Sequence, residues 1–228
     1  MQGGIEQLSF VQASRHPWWL LLAFWISVAI SIAVVIRRLI ELIHPSHGGP
    51  PQMAGLDKNF ASHNALTLAH IIPAALFVVV AAIILLRPVG SKWLHQFFFP
   101  LGAITGVTAY AMSVYAIGGW VERSAVLVFD SWFLFALARA YQFRLQGGAA
   151  QERTWIIRAV GTLLGIATTR PVMGIFFATS PLTQLRPNQF FGIAFWIGFS
   201  INTVAAELWV RSRRPIGNQV ARETEPHT

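Results

Sequence analysis

Eight ionisable side chains stand inside or at the rims of long apolar runs: His63, His70, His95, Asp130, Arg139, Arg158, Arg170 and Glu207. In an apolar setting each needs a partner, a water-lined cavity or a ligand, which makes each a candidate functional position. Imidazole is a ligand for zinc, copper or haem iron. A carboxylate or guanidinium at depth can pair with an opposite charge or hold the polar part of a bound molecule. His63 and His70 are the candidate metal ligands, and seven residues place them on one helix face. That spacing also covers about 10 Å of helix rise, so one ion cannot take both without unwinding. Haem would need His70 with a loop histidine, or His70 as the sole axial ligand, because no histidine lies between Gln96 and Pro226. His44 and His47 flank a Pro/Gly-rich loop and read as solvated.

The elements that must carry these residues are transmembrane helices. The chain has 228 residues, with 54% hydrophobic and only 11% charged side chains and a mean hydropathy of +0.54. A soluble domain carries about 25% charged residues. Too few polar side chains exist to cover a water-soluble globule. Six runs approach the roughly 20 residues that cross a bilayer as helix. They cover 17–36 (continuing as helix to Ile43), 65–86, 94–117, 124–143, 154–177 and 188–210. Backbone polar groups in lipid must bond within their own segment, so the expected fold is an all-α bundle of six transmembrane helices. It spans 17–210, with a cytoplasmic N-terminal segment at 1–16 and a cytoplasmic polar tail at 211–228. The first run reads as a retained anchor, because it is too long for a cleaved signal peptide.

Basic residues set the orientation. With both termini cytoplasmic, eleven of the seventeen Arg and Lys fall inside and six outside. The awkward pair is Arg37-Arg38, at the outer end of the first helix. The net charge of +8 is thus a topogenic signal, and no basic domain with exposed aromatics exists to bind nucleic acid. The expected partners are the lipid bilayer and another membrane protein. The buried charges sort into an outer layer of His70, Asp130 and Arg170 and an inner layer of His95, Arg139, Arg158 and Glu207. Asp130 is expected to face Arg170, and Glu207 to face Arg158 or Arg139. Such pairs either pin the helices or line a cavity.

Pro73 and Pro171 lie beside His70 and Arg170, where each should kink or break its helix and free a carbonyl, and Pro100 is expected to mark the inner end of the third helix. Gly102-x-x-x-Gly106 and Gly161-x-x-x-Gly165 have the spacing of close helix crossings and are expected to pack within the bundle. No cysteine, phosphate-binding loop, HExxH or GxSxG motif occurs. The residues name no reaction.

The order of short motifs resembles a bacterial family of predicted membrane proteins, domain of unknown function 2306. The matching residues are His70-Ile71-Ile72-Pro73, Leu94-His95, the run Glu152-Arg153-Thr154-Trp155-Ile156-Ile157-Arg158, then Arg170 and Glu207-Leu208-Trp209. The resemblance covers about residues 60–212. Glu152 stands where the family pattern has histidine, and Gln96 and Phe99 stand where it commonly has arginine and glycine. The resemblance implies a bacterial cytoplasmic (inner) membrane protein and carries no established activity. The leading expectation is a membrane protein with a polar intramembrane site, non-enzymatic or redox-linked, that uses His70, His95, Asp130, Arg158, Arg170 and Glu207 to bind haem, a divalent metal or a quinone. The rivals are a structural subunit or assembly factor and a small transporter.

Overall fold

A computed structural model of the chain describes residues 18–44, 61–86 and 92–212. The segment 1–17, the residues beyond Ser212, and those at 45–60 (with His47) and 87–91 lie outside the described residues. Every regular element described is a helix: α1 (Trp18–Ile43), α2 (Asn64–Leu86), α3 (Lys92–Ser113), α4 (Gly119–Leu145), α5 (Ala149–Leu163), α6 (Gly165–Thr183) and α7 (Pro187–Ser212). Helices α5 and α6 run on as one rod of 35 residues, Ala149–Thr183. The rods correspond to the six apolar runs of the sequence.

Four of them are long and apolar enough to cross a membrane: α1, α2, the α5–α6 rod and α7. Helices α3 and α4 have 22 and 27 residues, so length does not separate them from the others. Their composition does. Helix α3 opens on Lys92, His95 and Gln96, and α4 carries Glu122, Arg123, Asp130, Arg139 and Arg144. The structure therefore supports an all-α, membrane-type bundle with four such spans rather than six.

Helix α4 packs against α3, α5 and α7, while α7 also lies along α6 and α5. Helix α1 is peripheral, packs on α2 and α6, and buries only Val28 and Ser31. One core cluster centres on Phe77, Phe98 and Phe133, with Phe77 stacked on Phe98 at 4.6 Å and edge-on to Phe133 at 5.6 Å. Small residues line the rest of the seam. A Cβ on Gly102 would meet Leu137 and Phe77 at 2.8 Å, and one on Gly165 would meet Phe199 at 2.7 Å. Both Gly-x-x-x-Gly pairs thus serve crossings inside the bundle.

Three local expectations are corrected. Helix α3 stops at Ser113 rather than near Ile117, because Arg123 of α4 donates to the carbonyls of Ser113 (3.1 Å) and Val114 (2.8 Å). A helix end leaves its last carbonyls to find partners outside the helix, and the Ser113 carbonyl also takes the Ala116 N–H at 3.2 Å. Pro100 lies within α3, not at its end. The fifth rod is interrupted at Leu164, and α6 continues through Pro171. One proline removes one backbone donor, which a packed helix absorbs. The interruption falls instead where Gly165 admits the Phe199 ring.

Candidate functional site

The bundle separates its buried charges into two groups. At the end where α4 meets α5, every charged group has a partner. His95 Nε2 lies 3.2 Å from Glu152 Oε1, and Arg144 Nη1 lies 3.3 Å from the same oxygen. These contacts tie α3, α4 and α5. Arg158 grips Glu207 through two bonds, Nε to Oε2 at 2.8 Å and Nη2 to Oε1 at 3.3 Å. Arg211 adds a third at 3.0 Å. Arg158 also covers the Trp155 ring at 4.6 Å. Arg139 takes no share of Glu207. It donates to Gln142 at 2.9 Å and lies over Phe143 at 4.9 Å. Of the two partners expected for Glu207, the structure pairs it with Arg158.

The second group surrounds a cavity of about 250 Å³ bounded by all seven described helices, with Thr162 and Leu163 as the α5 share. His70, Asp130 and Arg170 all line it, as do Arg38 and Glu122. The three residues that sequence depth grouped together therefore share one space. They do not pair in it as expected: no ion pair joins Asp130 to Arg170, and Asp130 Oδ2 and Arg170 Nε have no hydrogen-bond partner among the described residues. Arg170 Nη1 approaches Met173 Sδ at 3.9 Å. Similar depth is not enough for pairing: α4 and α6 turn Asp130 and Arg170 toward one cavity without bringing them into contact.

His70 is held in one tautomer. Its Nδ1 lies 3.2 Å from the Thr105 carbonyl and 3.0 Å from Thr108 Oγ1. The Thr108 hydroxyl is itself directed to the Ile104 carbonyl at 2.6 Å. Both groups facing Nδ1 are thus acceptors, so the hydrogen-bond network places the proton on Nδ1 and leaves Nε2 with its lone pair. His63 does a different job: its ring packs on Tyr115 with centroids 3.7 Å apart, and Ser62 Oγ lies 3.0 Å from its Nδ1. His63 does not line the cavity that His70 lines. No group of three or more His, Asp or Glu with metal-holding geometry occurs among the described residues.

The walls are aromatic and aliphatic. Phe129, Phe133, Phe191, Phe195 and Phe199 reach the cavity from α4 and α7, and Tyr115 from the α3–α4 turn. Phe129 and Phe195 each stack on Phe199, at 5.5 and 5.8 Å. Ser31 closes the α1 side, and its Oγ also lacks a hydrogen-bond partner among the described residues.

Two lining residues escape a sequence reading. Glu122 occupies the first turn of α4, where an acid reads as an ordinary helix-start residue, and its Oε2 accepts the Gly118 N–H at 2.7 Å. Arg38 stands at the end of an apolar run, where arginine reads as interfacial. Glu152 is legible only as a departure from a motif, and its role is the buried bridge between His95 and Arg144. His95, Arg158 and Glu207, expected as site residues, belong to the paired group and do not line the cavity. Comparison with family models, curated proteins and solved structures returns no match for this chain.

Proposed function

We propose that the chain is an integral membrane protein that binds a small amphipathic molecule in the cavity around His70, Asp130 and Arg170. One observation carries this reading. Three buried side-chain polar atoms have no hydrogen-bond partner among the described residues, Ser31 Oγ, Asp130 Oδ2 and Arg170 Nε, and all three line the same cavity. Buried polar groups are nearly always satisfied, and each exception calls for a cause. Helix pinning does not supply it, since pinning charges pair, as Arg158 and Glu207 do. At about 30 Å³ per water, the cavity has room for roughly eight waters, the scale of a ring or a lipid headgroup rather than of an ion. The subunit or assembly-factor reading has support of its own in the paired end of the bundle, whose charges tie helices and leave nothing over for a ligand.

Organic extraction of detergent-purified protein, followed by mass spectrometry, tests the binding reading. A small molecule is expected at near-stoichiometric yield in the wild type. Ala75→Trp, which fills the cavity, should lose it. Ala111→Trp, on an exposed face of α3, should keep it. Equal recovery from the two folded variants, or nothing from the wild type, refutes the reading.

The same proposal has all six rods crossing a bacterial cytoplasmic membrane with both termini inside, in keeping with the resemblance to domain of unknown function 2306. Pairing Asp130 and the charges of α3 and α4 with protein or ligand is what lets these two more polar helices sit among the four apolar ones. The absence of native cysteine makes the topology readable. An impermeant thiol reagent applied to whole cells should label Thr183→Cys and leave Gln146→Cys unlabelled. The opposite pattern overturns the orientation.

A further inference from the structure

We propose that the ligand class of this cavity is a lipid-soluble hydroquinone, and that the cavity binds it more tightly than the corresponding quinone. The inference rests on the binding reading above and goes further, because the polar atoms on the cavity wall have a definite hydrogen-bonding sense.

Arg170 Nε–H can only donate, and Asp130 Oδ2 as a carboxylate can only accept. A ligand that satisfies both must accept at one point and donate at another. His70 adds a second acceptor: with Nδ1–H committed to Thr105 and Thr108 of α3, its Nε2 offers a lone pair. The wall therefore presents Arg170 as a donor, Asp130 and His70 as acceptors, and the Ser31 hydroxyl as either, on four helices. A ring with two hydroxyls meets that set, since each hydroxyl donates and also accepts. A quinone, whose two carbonyls only accept, can satisfy Arg170 and Ser31 but has no donor for Asp130 or His70. Leaving a buried group unmet is the costly outcome.

The walls argue for a flat ring. Phe129, Phe195 and Phe199 form a continuous stacked set beside Asp130, and a planar aromatic can extend such a stack. The aliphatic lining on α1 and α2, including Val34, Val35 and Ile71, suits an alkyl tail and leads toward the peripheral helix. The proposal concerns equilibrium binding of the reduced ring and includes no electron transfer.

The test uses the full chain in detergent under anaerobic conditions, with a decyl-substituted benzohydroquinone and its benzoquinone as probes. Bound and free probe are separated by ultrafiltration and read by absorbance. The hydroquinone is expected to bind at least about tenfold more tightly, the discrimination typical of one buried polar mismatch. Asp130→Asn, whose amide can donate to a carbonyl, should narrow the preference to less than about threefold. His70→Phe removes the second acceptor and should narrow it independently, so that one folded variant suffices. Equal affinity of the wild type for both probes, tighter quinone binding, or an unchanged preference in the variants overturns the inference. If neither probe binds while extraction yields another molecule, the hydroquinone assignment falls and the cavity reading stands. If neither probe binds and extraction yields nothing, both fall.

Discussion

Replacing Gly198 by leucine is expected to prevent the bundle from forming. Gly198 of α7 faces Thr169 of α6 so closely that a Cβ would lie 2.6 Å from the Thr169 backbone nitrogen and 2.8 Å from its Cα. These are backbone atoms of a fully buried residue, and they cannot rotate aside as a side chain does. The two helices would have to separate along their length. That would disturb Asn202, which reaches Thr168 from the next turn of α7, and the Phe190–Phe176 stack at 5.2 Å. Overpacking a dense core costs about 1–3 kcal/mol, and a clash with backbone belongs at or above the top of that range. The control lies on α6 itself. Nothing stands within 4 Å of a Cβ on Gly174, so Gly174→Leu should leave the protein folded and gain helix propensity. Thermal aggregation midpoints of the two variants, followed by size-exclusion chromatography in detergent, decide the matter. Equal midpoints would mean that α6 and α7 are not packed through Gly198.

The same contrast shows which features the residues declare by themselves. The rods are legible because lipid imposes a length and an apolar composition that no neighbour can supply. Helix α1 runs from Trp18 to Ile43, as its apolar run requires. The end of α3 is not legible. Val114 to Ile117 is as apolar as what precedes it, and the helix ends there because Arg123, from another helix, takes up the last carbonyls. The break at Leu164 is hidden for a similar reason: its determinant, the Phe199 ring against Gly165, is 34 residues away in the chain.

The candidate site divides along the same line. Depth in the bilayer follows from position in a run, so His70, Asp130 and Arg170 group together from the sequence. Whether two charges at one depth touch depends on the rotation of each helix about its axis. That rotation is fixed by packing, with α4 seated on α5 through small residues such as Ala136, Ala140 and Ala159. It brings Arg158 onto Glu207 and leaves Asp130 and Arg170 on a shared cavity without a bond. Arg38 and Glu122 stay hidden because charges at helix ends are common and carry little information.

Removing Glu207 is expected to destabilise the bundle more than removing Arg158. Both break the same bidentate pair, yet the survivors differ. Glu207 left by Arg158→Leu keeps Arg211 at 3.0 Å, and its side chain is 30% exposed. Arg158 left by Glu207→Leu has an 11% exposed side chain and retains only the face of Trp155 at 4.6 Å. Leaving a buried charge uncompensated costs about 3–5 kcal/mol. Glu207→Leu should approach that range, and Arg158→Leu should fall to about half of it because a cation stays with the carboxylate. The double variant removes both charges and leaves no buried ion to desolvate, so it should be more stable than Glu207→Leu alone. Thermal midpoints of the three variants in one detergent give the order: Glu207→Leu lowest, then Arg158→Leu and the double variant above it. A double variant no better than Glu207→Leu would show that the pair contributes attraction beyond its desolvation cost. The paired end of the bundle would then be held by charge rather than merely relieved of it.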